Sequence, residues 1–225
     1  MILRRTGILA LFLVGAILLG ALIWMALLWW RTPGIVREAE ATIAEPVDPS
    51  ELPTGRIEDL LAVEDPAFRS HHGVDVSTPG AGWTTITQGL AKDLYFDEFR
   101  PGRLAKLEQS LAALVLDART SKDRQLRLFL GRAYLGEAPT GSVNGFAPAA
   151  RVWLGKDVRQ LDRREFLSLV AMVIGPNEYE LGDHPERNAE RVARIERLLA
   201  GECRPAGWRD VTYEACEMPF RKEFP

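Results

Sequence analysis

Residues 63–75, VEDPAFRSHHGVD, bring Glu64 and Asp65 together with Phe68, His71, His72, Gly73 and Asp75. Three readings fit such a stretch: the end of an ordinary helix, a metal site, or half of a catalytic apparatus whose other half lies elsewhere. A metal held by His71, His72 and Asp75 would match no standard zinc spacing, so no metal ligands are expected here. On these residues alone, a hydrogen-bonded structural histidine is a simpler reading of His71 than a ligand.

The other half has to come from another element. In RLAKLEQSLAALVLDAR, residues 103–119, Leu104, Leu111 and Val115 form an apolar stripe at helical spacing, and Glu108 sits inside it. Glutamate is rarely buried without a partner or a purpose. Glu108 is therefore the best second carboxylate, with a rim residue reaching solvent or an arginine as the plain alternative. In WTTITQGLAKDLYF, residues 83–96, Trp83, Ile86, Leu90 and Leu94 predict one apolar face, while Thr85, Gln88 and Lys92 fall together on another. A hydroxyl, an amide and an ammonium in a row suit a ligand carrying sugars and phosphate; a solvated face is the plain alternative. From Lys92 to Arg132 nine basic residues face six acids, against a net charge of −3 for the chain, so an anionic ligand belongs near these helices.

The elements that must position these groups read as helices. Asp162 and Glu165 have capping-box spacing ahead of Phe166, Leu169, Val170 and Val173, with Gly175-Pro176 as the stop. Pro185 suits a first helical turn, Val192, Ile195, Leu198 and Leu199 supply its stripe, and Gly201 ends it. Leu126, Phe129, Leu130 and Ala133 form a further stripe closed by Gly136. Alternating, strand-like runs are scarce, so the class is mainly α.

At 225 residues the chain has room for one membrane anchor and one domain. Apolar residues make up 47% of it, enough for a core, and the net charge of −3 argues against non-specific nucleic-acid binding. Residues 8–30, ILALFLVGAILLGALIWMALLWW, carry no charge, and roughly 20 such residues cross a hydrocarbon core. Arg4 and Arg5 place residues 1–7 in the cytoplasm by the positive-inside tendency, and Trp29 and Trp30 suit the far interface. The run is long for a signal peptide and no small-x-small site closes it, so an uncleaved anchor is expected. The acidic, proline-containing residues 31–55 read as a juxtamembrane spacer, residues 56–200 as the domain and residues 201–225 as a tail. Cys203 and Cys216 lie in that tail, where an oxidising compartment would let them close a loop; two unrelated thiols are the alternative.

Together these pieces resemble the peptidoglycan glycosyltransferases of glycosyltransferase family 51, found in monofunctional transglycosylases and class A penicillin-binding proteins. That family's first motif reads roughly E-D-x-x-F-x-x-H-x-G-[VI]-D, and EDPAFRSHHGVD matches every fixed position. The second, G-x-[ST]-T-[IL]-T-Q-Q-L-x-K-N, is met by GWTTITQGLAKD except at Gly89 and Asp93. Glu108 aligns with the third-motif glutamate, and KDRQLRLFLGRAYLG resembles the fourth motif with Gly131 in place of its asparagine. A basic pair usual before the third-motif glutamate is Leu104-Ala105 here, flanked by Arg103 and Lys106, and the joining segment VSTPGAG is shorter than usual. The resemblance implies a lysozyme-like helical fold behind the single transmembrane helix, facing the periplasmic or external side. It implies Glu64 as general base, and Glu108 with Lys92, Arg103 and Lys106 at the departing diphosphate. Asp65, Thr85 and Gln88 join these as substrate-binding residues, with no tightly bound cofactor but a divalent cation, Mg or Mn, at the diphosphate. The implied substrates are lipid II and the nascent glycan chain, with other cell-wall synthesis proteins as partners and a catalytically degenerate scaffold as the alternative. No S-x-x-K tetrad occurs, so a monofunctional enzyme without a transpeptidase domain is expected.

Overall fold

A computed structural model of the chain describes residues 2–80, 82–96, 100 and 102–217. The first helix, α1 (Ile2–Ala41), has 40 residues, about 60 Å at 1.5 Å per residue. It does two jobs along its length. From Leu11 to Trp30 its large apolar side chains are mostly exposed, and the helix is long and apolar enough to cross a membrane. From Leu28 onward one face turns inward: Leu28, Thr32, Val36 and Ala39 are buried at helical spacing. The Thr32 hydroxyl lies 2.8 Å from that of Tyr95, and the Arg119 guanidinium sits 4.8 Å over the Trp29 ring.

The stretch read as a juxtamembrane spacer is thus helical as far as Ala41 and packs on the domain. Pro33 lies inside the helix, where it forfeits a backbone bond, and the inner face continues past it through Val36 and Ala39. Arg124 then grips Glu40 through two contacts of 2.6 Å, and Val47 and Leu52 are buried. Asp48 caps the short turn Pro49–Glu51, which folds the proline-containing stretch against the domain.

The domain continues with α2 (Arg56–Glu64), α3 (Ile86–Tyr95), α4 (Arg103–Arg119) and α5 (Lys122–Arg132). A hairpin, β1 (Tyr134–Ala138) with β2 (Gly141–Asn144), leads to α6 (Phe146–Leu154), α7 (Arg163–Met172), α8 (Pro176–Tyr179) and α9 (Pro185–Leu199). The mainly helical class holds. The hairpin was not foreseen, and Gly136, expected to close a helix, lies in β1 with φ +101° where the register shifts. Asp162 and Glu165 form the predicted capping box of α7, and Pro185 stands in the first turn of α9. Phe146, Phe166, Leu167, Leu169 and Val170 meet at the centre of the core.

One face differs from its sequence pattern. Leu104 of α4 is 69% exposed, and the helix instead buries Gln109, Ala112, Ala113, Val115 and Leu116. The reason is backbone proximity: a Cβ on Gly73 would lie 2.5 Å from the Ala113 carbonyl oxygen. The alanine side of α4 meets this close approach, while Leu104, Leu107 and Leu114 turn outward and Glu108 is left half-buried at the flank.

Candidate active site

The site is built from the end of α2 upward. Asp65, fully buried, accepts from the Ile86 N–H at 2.9 Å and lies 3.0 Å from His71 Nε2 through both oxygens. The Gly73 N–H donates to His71 Nδ1 at 3.0 Å, which leaves the ring proton on Nε2, aimed at Asp65. His71 is thus a structural histidine. His72 is almost wholly exposed beside Asp117, and Asp75 accepts from Ser77, so the alternative metal trio shares no centre. Phe68 is buried beneath the turn and Gly73 takes φ +91°.

This clamp fixes Glu64 where α2 stops. Its side chain is only 11% exposed, and Oε1 has no hydrogen-bond partner among the described residues, the nearest cation being Arg191 Nη2 at 3.8 Å. Burial pushes the carboxyl up to about 7, opposed by Arg191 and assisted by the charge of Asp65. Arg191 is itself 1% exposed, donates to the carbonyls of Ala171 at 3.1 Å and Val211 at 3.0 Å, and faces the rings of Tyr179 and Tyr213.

The polar stripe of α3 is divided. Thr85 and Gln88 form a capping box, and both are buried. Thr85 also donates to the Gly73 carbonyl at 2.7 Å, and Gln88 to the Ser110 hydroxyl at 2.9 Å. These bonds tie α3 to the Gly73 turn after α2 and to α4. Asp65 is likewise bonded inside the fold, to His71 and the Ile86 N–H. Lys92 remains exposed on the same helix.

Across from it, Lys106 donates to Thr84 Oγ1 at 2.9 Å and Gln109 Oε1 at 3.1 Å. Burial, then the neighbouring charge of Lys92, brings its ammonium down to about 8. Arg103 is exposed at the start of α4. Most other cations counted in the sequence are paired with carboxylates: Arg124 with Glu40, Arg127 with Asp48, Arg132 with Asp93 and Lys122 with Asp117. Glu64 and Glu108 belong to one frame because α3 bonds to both carriers, through Asp65 to α2 and through Gln109 Nε2 to the Gln88 carbonyl at 2.8 Å.

The transglycosylase family profile matches residues 34–200, spanning this whole frame. The chain belongs to the transglycosylase family. Penicillin-binding protein 1B of Vibrio cholerae is 32% identical over 162 residues, 66% of this chain and 21% of that protein. Penicillin-binding protein 1F of Bacillus subtilis is 32% identical over 160 residues, 65% and 22% of the two chains. Penicillin-binding protein 1A of Neisseria cinerea is 33% identical over 141 residues, 57% and 17%. The chain thus spans about a fifth of the length of the curated relatives it matches.

The transglycosylase match starts inside α1, in keeping with the packed state of the segment read as a spacer. One departure from the family pattern has a cause in the packing. A Cβ on Gly131 would lie 2.7 Å from Ile43 Cδ1, so the side chain given up there makes room for the segment after α1. Nothing in the structure explains Gly89, which has open space around it. Sequence reasoning missed Arg191, Val211 and Tyr213. Arg191 carried a signal, since it falls on the Ile195–Leu198 stripe of α9 as Glu108 does on its own helix; the other two carried none.

Proposed function

We propose that this chain polymerises lipid II into peptidoglycan glycan strands by inverting glycosyl transfer, with release of undecaprenyl diphosphate. The observation that carries this reading is Glu64, a first-motif carboxylate shielded from water, raised to about 7 and left with one unpartnered oxygen. General-base catalysis works best with a group poised near the operating pH. Glu64 takes the proton of the acceptor 4-hydroxyl as that oxygen attacks C1 of the growing strand. The bond from C1 to the diphosphate oxygen breaks, its electron pair leaves with the diphosphate, and the anomeric centre inverts.

Lys92, Lys106 and Arg103 receive the charge on the leaving group, with Glu108 assigned to the same diphosphate. A divalent ion bound there would be held by Glu108 together with the substrate diphosphate, and would supply charge neutralisation. The anchor keeps the site at the bilayer where the substrate's lipid resides, with the domain on the external face and other cell-wall synthesis proteins within reach.

A binding-only scaffold is the rival, favoured by the internal commitment of Thr85 and Gln88. Purified full-length protein given labelled lipid II should form polymer. Glu64→Gln should slow that by about 10²–10⁴-fold, the usual worth of a general base, while donor binding persists. Binding by the wild type without extension establishes the scaffold instead. Equal rates for wild type and Glu64→Gln remove Glu64 from its role.

A further inference from the structure

Two features of the sequence have no place in the mechanism so far: the short joining segment VSTPGAG and the cysteine pair. The fold brings them together. Cys203 and Cys216 form a disulfide that closes the segment after α9 into a loop. That loop lies on the joining segment: Gly80 N–H donates to the Gly207 carbonyl at 3.1 Å and Gly82 N–H to that of Trp208 at 3.0 Å. The Trp83 and Trp208 rings meet edge to face at 4.2 Å. The contact is close enough to demand glycine. A Cβ on Gly80 would lie 2.7 Å from Pro205 Cγ, and one on Gly82 would lie 2.6 Å from Val211 Cγ1.

From there the loop reaches the candidate base. The Val211 carbonyl accepts from Arg191 Nη1 at 3.0 Å. Tyr213 is fully buried, donates its hydroxyl to the carbonyl of Val63, the residue before Glu64, and presents its ring to Arg191 at 5.6 Å. On the other side, Arg197 donates to the carbonyls of Cys216 and Glu217.

We propose that the disulfide-closed loop 203–216 is a working wall of the active site, replacing the segment missing between the first two motifs and holding Glu64 and Arg191 in register. The proposal rests on Glu64 being the general base. Tyr213 and Val211 act as positioning residues, since neither is assigned a contact with the reacting atoms. The charged or titratable groups facing Glu64 are Asp65 on its own helix, Arg191 from α9 and Tyr213 from the loop. Opening the loop admits water to Glu64, so the burial that raises its proton affinity is relieved.

The test uses the full chain in detergent micelles, as wild type, Cys203→Ser/Cys216→Ser and Tyr213→Phe. The Glu64 carboxyl is followed by carbon NMR across pH, with Glu64→Gln assigning the signal, and lipid II polymerisation is measured in parallel. In the double serine variant the Glu64 midpoint is expected to fall by about one pH unit or more, and turnover by about tenfold or more. Tyr213→Phe keeps the disulfide and loses only the bond to Val63, and is expected to move both readouts the same way by less. An unchanged midpoint in both variants overturns the proposal, even where turnover drops through loss of folded protein. If the double variant does not fold, Tyr213→Phe decides. A midpoint that depends on the loop in a protein making no polymer leaves the wall in place and removes the proposed function, so the two failures are distinct.

Discussion

At the scale of single residues, the proposed mechanism rests on two proton affinities set close together. Burial raises Glu64 to about 7, and burial with the charge of Lys92 lowers Lys106 to about 8. A base must be deprotonated to accept, so the active fraction of Glu64 grows as pH rises through its folded value. A cation must be protonated to hold diphosphate, so the contribution of Lys106 is lost as pH rises through its own. The pH profile of kcat/KM is therefore expected to be a narrow bell with limbs near 7 and 8. Lys106→Arg should leave the acid limb in place and move the alkaline limb upward, because guanidinium stays charged. An alkaline limb that does not move places Lys106 outside the diphosphate site.

At the scale of elements, α3 is the keystone. It receives the Asp65 carboxylate at its first turn, caps itself with Thr85 and Gln88, and bonds to α4 through Gln109. The contact most sensitive to a small change is the approach of Gly73 to α4. Gly73→Ala meets both a left-handed φ of +91° and a backbone oxygen 2.5 Å from the new Cβ. Each kind of strain costs on the order of 1–3 kcal/mol, so a loss of at least about 2 kcal/mol is expected in chemical denaturation. Since the turn also aims Glu64, polymerisation should fall with it. Unchanged stability would mean the turn yields more easily than its packing implies.

At the scale of the molecule, anchor and domain are one body. The helix that leaves the hydrophobic span is the helix that packs on α3, α4 and α5, fixed by Thr32 to Tyr95 of α3 and Glu40 to Arg124 of α5. If α1 crosses a membrane, a domain held this way stays at its surface, where the proposed lipid-linked substrate would present its head group. The proposed external side rests on Arg4 and Arg5 at the N-terminus and the positive-inside tendency. Alkaline phosphatase fused after Pro225, a position outside the described residues, should be active in cells because it is exported. A silent fusion beside an active cytoplasmic reporter would reverse the topology.

The sequence by itself determined what local chemistry can encode. The capping box at Asp162, the proline at the head of α9, the apolar anchor and the first two motifs were all legible, because each depends on residues a few positions apart. Alternation was too short and too interrupted at Gly136 to announce the hairpin. The inward faces were decided only in three dimensions: Ala112 and Ala113 took the core side of α4 because a glycine backbone had to reach them. Thr85 and Gln88 were legible as a polar stripe, but whether such a stripe meets solvent or caps its own helix depends on what covers it. The tertiary structure alone placed Arg191 and Tyr213 against the end of α2, with about 130 and 150 residues of chain between them and Glu64. No local pattern specifies a pairing over that distance, because what selects it is the shape of the surfaces that meet.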